Sequence, residues 1–105
     1  MLRIYSFTIE TLRLVAPVIK QIGKHDVDLA RQLRRAASSI ALNTAEAYGV
    51  TGGNEKLRFR TAHGSTHEVR ACLDVAEALG YVDEIDAGLR DRIDRIAATL
   101  YRLAT

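Results

Sequence analysis

The chain has one cysteine, one proline and no tryptophan among its 105 residues. A single thiol, Cys72, excludes an internal disulfide framework and fits a reducing compartment. Scarce glycine and nearly absent proline suit a mostly helical chain, without long linkers, repeats or low-complexity stretches. No apolar run approaches the roughly 18 residues that a membrane-crossing helix needs. The first residues, MLRIYSFTIETLR, mix charge through the apolar positions, unlike a secretion signal. A cytoplasmic protein without a membrane partner is expected. At 48% hydrophobic and 27% charged residues the composition is that of a soluble globular protein. A chain this long can bury roughly two-thirds of the surface it exposes when unfolded, enough for one core. Residues 1–105 therefore read as a single domain.

The net charge of +2 is modest but unevenly spread. Residues 1–70 hold eleven Lys/Arg against six Asp/Glu, whereas residues 71–105 hold four against seven. Twelve of the fifteen basic residues are arginine, which suits bidentate pairing with carboxylate or phosphate. The N-terminal two-thirds could thus present a basic face to an anionic partner.

Strong breaks occur only at IGKHD (22–26), GVTGGN (49–54) and GYVD (80–83), and they divide the chain into four segments of helical periodicity. Helix 1 is expected over about residues 3–22, with Tyr5, Thr8, Ile9, Leu12, Val15, Ala16, Ile19 and Ile22 on one stripe. Ile4, Phe7, Leu14 and Val18 form a second stripe, and Pro17 predicts a kink or a late re-start. Helix 2 begins near Asp26 or Asp28 as N-cap and ends at Gly49. Helix 3 starts with Asn54 as cap after a Gly52–Gly53 hinge and ends at Gly80. Asp83 caps helix 4, whose stripe is Ile85, Leu89, Ile93, Ile96, Leu100 and Leu103, with Arg90–Asp94 and Asp91–Arg95 pairs on its outer face. Short loops make successive helices antiparallel neighbours. The expected fold is all-α, an up-down-up-down four-helix bundle.

The segment QLRRAASSIALNTAEAYG (32–49) carries no charge between Arg35 and Glu46. At about 100° per residue, Leu29, Leu33, Ala36, Ile40, Thr44 and Ala47 share the core face. Gln32, Arg35, Ser39, Asn43 and Glu46 line one edge, and Arg34, Ser38, Ala41 and Ala45 form a back of small side chains. Such a back lets another backbone approach closely. With Phe7, Leu14 and Val18 of helix 1 it predicts a subunit interface in a homo-oligomer. Residue i of helix 2 then lies roughly opposite residue 103 − i of helix 3. That register predicts an Arg35–Glu68 ion pair, with Ser39, Asn43, Glu46 and Ser65 completing a structural polar network. The core stripe of helix 3 is Ala62, Thr66, Val69, Leu73 and Ala76.

QLRRAASSIALNTAEAYG, followed by Phe59, Ala62, HGSTHE (63–68), Leu73 and Ala76 to LGY (79–81), resembles the four-helix-bundle family first associated with intervening sequences in large-subunit (23S) ribosomal RNA genes. The typical core of that family reads QLRRAA.SI..NIAEG.GR, then F...A.GS..E....L..A..LGY. The likeness spans residues 29–82 in register. Ala47 replaces a usual glycine, and Val50 replaces a common basic residue. The resemblance implies a cytoplasmic bacterial bundle assembled as a ring-shaped homopentamer. Accessory proteins of diversity-generating retroelements share this architecture, and they bind nucleic acid and a reverse transcriptase.

Residue chemistry points away from catalysis. His63 and His67 are spaced i, i+4, but a metal centre needs more than two protein ligands, so no metal is expected. Glu46 and Glu68 read as network carboxylates beside Arg35 rather than an acid–base pair. Cys72 has no activating neighbour on its face, and HGST lacks the lysine of a phosphate loop. No cofactor is expected. Lys20, Lys24 and Arg31 near one end, and Lys56, Arg58 and Arg60 at the start of helix 3, are the candidate nucleic-acid-binding cations. The last three oppose the helix macrodipole, a mild cost that favours a role for them. The reading is a non-catalytic oligomeric bundle that binds RNA or DNA as an accessory factor. A structural or protein-interaction module, recruiting a partner protein instead, is the alternative.

Overall fold

The structure, a computed structural model, describes residues 2–50 and 53–105. It contains four helices, and no strand occurs among the described residues: α1 (Leu2–Gly23), α2 (Val27–Ala47), α3 (Gly53–Ala78) and α4 (Ala87–Ala104). Each packs on the next in sequence, and α4 returns to α1 through the sparsest of the four seams. The result is an elongated bundle measuring 43 × 24 × 19 Å. No described helix is long and apolar enough to cross a membrane.

The helix ends follow from specific bonds. Asp26, in extended backbone, accepts from the Leu29 amide at 2.9 Å and starts α2. At the far end Tyr48 closes α2, and the Gly49 amide donates to the Glu46 carbonyl at 2.9 Å. α3 is terminated just past Ala78 by Gly80 with φ +75, where the Tyr81 amide reaches back to the Ala76 carbonyl and the Gly80 amide to that of Glu77. That double closure requires a left-handed residue, which glycine adopts without a Cβ clash. The expected Asn54 cap falls inside the first turn of α3, which begins at Gly53; Gly52 lies outside the described residues. α4 also begins later than the sequence suggests, with Asp86 rather than Asp83 accepting from Leu89. The reason is non-local. The Glu77 carboxylate accepts from the Ile85 amide at 2.6 Å, which holds residues 81–85 against the end of α3 before α4 can start.

One core cluster draws on all four helices. Every expected core position of α2 and α3 is buried: Leu29, Leu33, Ala36, Ile40, Thr44 and Ala47 against Ala62, Thr66, Val69, Leu73 and Ala76. α4 contributes Leu89, Ile93, Ile96 and Leu100, with Ile85 buried just ahead of the helix. α1 differs from expectation. Its core stripe is Ile4, Thr8, Thr11, Val15 and Ile22, whereas Ala16 is exposed. Pro17 causes no re-start, because it lies on the exposed side, where solvent can bond the freed carbonyl.

Charged pairs on α4 reach across to other helices rather than along their own. Arg90 binds Asp74 at 2.7 Å and Glu77 at 2.8 Å, and Asp94 binds Arg70 at 2.8 Å. The α1–α4 seam is closed by Arg92. Its Nε donates to Thr11 Oγ1 at 2.9 Å, its Nη2 reaches the Phe7 carbonyl and Glu10, and its guanidinium lies 4.0 Å over the Phe7 ring. Replacing Arg92 with alanine should lower unfolding stability by about 1–3 kcal/mol in urea titrations, since it removes charge-assisted bonds and a cation–π contact together. Thr44 carries the opposite prediction. Its hydroxyl is fully buried without a hydrogen-bond partner. Thr44→Val should therefore raise stability by about 1 kcal/mol, and a lowered urea midpoint would contradict this reading.

Candidate nucleic-acid interface

Three polar regions stand out on the bundle. The first lies along the α2–α3 seam. Ser65 Oγ donates to Ser39 Oγ at 2.7 Å, and Asn43 Nδ2 donates to both the Ser39 carbonyl and hydroxyl at 3.0 Å. Hydroxyls this close require near contact of the two helices. The expected network thus forms around Ser39, Asn43 and Ser65. Its charged members arrange differently. Arg35 and Glu68 form no ion pair; they line a groove of about 410 Å³ together with Gln32, Ala36, Ser39 and Ser65. Glu46 instead meets Arg58 at 3.5 Å. Long side chains at a solvated seam choose among partners within a turn, and a pair this exposed contributes little.

The second region is the distribution of cations over the two ends. His25 in the α1–α2 turn stacks on Tyr81 at 5.4 Å, so Lys20, Lys24 and Arg31 share their end with the segment after Tyr81. That end carries the carboxylates Asp26, Asp28, Asp83, Glu84 and Asp86. Arg31 already pairs with Asp28 at 3.4 Å. Lys20, Lys24 and Arg31 therefore do not form an isolated basic patch.

The opposite end is different. Lys56 donates to the Thr105 carbonyl at 2.9 Å, which brings the start of α3 to the end of α4. Arg102 contacts Thr99, and Thr99 shares a groove with Arg3 and Arg95. Among the described residues, Glu46 meets Arg58 at this end, Glu55 lies in the first turn of α3, and Glu10 lines the groove that holds Arg3 and Arg95. Arg3, Arg95 and Arg102 were not among the candidates from sequence. Only the return of α4 to the start of α3 brings these arginines into the group.

The third region is the α3–α4 face. His63 and His67 meet Nε2 to Nε2 at 3.2 Å, with Arg70 Nη1 3.2 Å from His67 Nδ1 and the Tyr101 ring 5.7 Å from His63. No group of three or more potential metal-ligating side chains occurs among the described residues. Burial, the neighbouring His67 and Arg70 lower the His63 pKa from its ordinary 6.5. Cys72 is buried, and burial followed by Glu68 pushes its thiol up, away from the reactive thiolate.

Among the interface candidates, Arg34, Ser38 and Ala45 are exposed on α2, and Leu14 is half-exposed on α1. Phe7 and Val18 are partly buried. Ala41 corrects the expectation. It is only 5% exposed in the single chain, so it has almost no surface to offer a second copy. Leu42, at 66% exposed, is the apolar residue on that outward strip which the sequence reading missed.

Residues 2–102 match the family described as 23S rRNA-intervening sequence protein. The chain belongs to that family. No match was found among curated proteins or among solved structures. Family membership agrees with the four-helix bundle and covers all four helices.

Because the folded state favours neutral His63, protonation is easier in the unfolded chain. Stability should be full above about pH 6.5 and fall as pH drops through the lowered folded-state value. Thermal melts of wild type and His63→Gln across that window check this, the variant being the flatter of the two.

Proposed function

We propose that this 23S rRNA-intervening sequence family member is a non-catalytic, self-associating bundle that binds RNA or another nucleic acid as an accessory factor. The observation that carries the reading is the cationic end formed by Arg3, Lys56, Arg58, Arg60 and Arg102 beside Arg95. Mostly arginine, it matches the bidentate geometry of phosphate. Lys56 lies in the first turn of α3, where it opposes the macrodipole rather than stabilising the helix, and Arg58 and Arg60 follow it on the next turn. The antiparallel order of the bundle is supported by pairs such as Glu46–Arg58, Ser39–Ser65 and Arg70–Asp94, in which numbers rise along one helix and fall along its neighbour.

Self-association is supported by apolar side chains left outside the core. Leu14 is 50% exposed beside Pro17 on α1, and Leu42 stands on the outward strip of α2 with Ser38 and Ala45. A head-to-tail ring needs two different surfaces on each copy, and these two helices offer them. In a ring, one cationic end per copy adds to a charged rim. The same apolar strips are what favour the second reading, a module that recruits a partner protein.

Anisotropy titrations with mixed-sequence RNA and DNA at about 50 mM salt decide between them. Binding should weaken steeply with salt, with each lost phosphate contact flattening the log–log slope by about 0.9. Combined Arg3→Glu, Arg60→Glu and Arg102→Glu should cost at least about tenfold in affinity, while Lys24→Glu at the opposite end should change little. Light scattering of the same samples should give a mass above one chain. Absence of binding at low salt would leave the protein-recruiting module standing.

A further inference from the structure

We propose that His63 and His67 form a bidentate, open site for a divalent transition-metal ion of borderline softness, with zinc and nickel as the fitting cases. The spacing alone only puts both rings on one face of α3. The structure adds the bite. Their Nε2 atoms are 3.2 Å apart, and the rings meet edge to face with centroids at 4.5 Å. With metal–nitrogen bonds of about 2.1 Å, this separation corresponds to a nitrogen–metal–nitrogen angle of about 100°. That angle lies between octahedral and tetrahedral geometry. Imidazole is the side chain such ions prefer in a site without thiolate. His63 is partly exposed and His67 exposed, so an ion has access and water can fill the remaining positions.

The hydrogen bonds around the pair define what the ion replaces. Arg70 can only donate, so His67 Nδ1 accepts from it, and the proton of neutral His67 resides on Nε2. That proton then points to His63 Nε2, the acceptor 3.2 Å away. A metal bound to both Nε2 atoms displaces this shared proton and sits to one side of the line between them. In doing so it moves the His67 proton to Nδ1, and Arg70 must turn from the ring. Asp94, already bonded to Arg70 at 2.8 Å, is the carboxylate at hand for the released bonds. A carboxylate behind a ligating histidine is the usual outer-shell arrangement. Arg70 also brings a positive charge towards the ion, which makes the site weak and exchangeable rather than structural. Two protein ligands are too few for a closed metal centre, as the sequence implies, but they fit a weak open one whose other positions are water.

Nickel(II) or zinc(II) chloride titrated into metal-free protein at about pH 7.5 tests the site by calorimetry and by the shift in melting temperature. One ion per chain is expected, with affinity falling on acidification as protons compete for the same nitrogens. His63→Gln and His67→Gln should each weaken binding at least about tenfold, since even an outer-shell partner is worth that much. His25→Gln, at the far end of the bundle, should leave it unchanged. Circular dichroism confirms that each variant folds before it is titrated. No saturable heat or melting shift at millimolar metal would overturn the proposal, as would full binding by both His63→Gln and His67→Gln.

Discussion

The close approach of α2 and α3 is the constraint from which most of the structure follows. Ser39 and Ser65 hydroxyls at 2.7 Å leave no room for larger side chains between the two backbones. Ala36, Ala62 and Ala76 are buried, small residues along the same pair. Close-packed small residues bury little apolar area each, so the seam relies on dense contact and on the satisfied bonds of Ser39, Asn43 and Ser65. It also fixes register. Glu46 opposite Arg58 and Ser39 opposite Ser65 are the same alignment read at two places. A slip of either helix would separate the hydroxyls and rotate Phe59 away from Tyr48, against which it packs edge-on at 5.4 Å.

This alignment carries the charge pattern with it. The start of α3 is held beside the end of α2, and the return of α4 then adds its last turns to the same end. Arginines distant in sequence converge there because three helix ends do. At the other end, the connection between α3 and α4 delivers carboxylates beside Lys20, Lys24 and Arg31. Glu77 is central to that delivery. It binds Arg90 through one oxygen and the Ile85 amide through the other, pinning the acidic segment in place. The asymmetry between the two ends is therefore a product of topology rather than of any single basic run.

What the sequence disclosed, and what it withheld, divides along the range of the interactions involved. The faces of α2 and α3 were legible because each has one narrow apolar stripe flanked by polar residues. Their mutual register was legible to within a residue, because a short connection leaves little freedom. α1 was harder: apolar residues surround much of it, so periodicity could not decide that Ile4 faces inward and Ala16 outward. The start of α4 was hidden because its choice of Asp86 depends on Glu77, a residue on another helix. Helical angle alone puts Ala41 on the back of α2, whereas it lies buried with Ala30 and Ala37 on a flank of small residues inside the chain. Ion pairing was the least legible feature. Arg90 and Asp94 have suitable partners along their own helix, yet Asp74, Glu77 and Arg70 offer shorter reaches across the seam.

The four seams of the bundle are closed by different means, and that difference bears on assembly. α2 and α3 close through small residues, while α3 and α4 add the Arg90 and Arg70 bridges to apolar contact. α1 and α4 are bridged chiefly by Arg92, which lies over the Phe7 ring with Arg95 reaching the same ring at 5.1 Å. An arginine spans a wider gap than an aliphatic side chain would fill. The seam consequently keeps grooves of about 360–520 Å³ walled by Phe7, Leu14 and Val18. These apolar walls face α4's side of the bundle, whereas Leu42 on α2 points away from the core. A twofold dimer would need only one self-complementary patch. Two unlike strips on different helices are the requirement of a head-to-tail closure, so the proposed ring has its physical root in the polar closure of the α1–α4 seam.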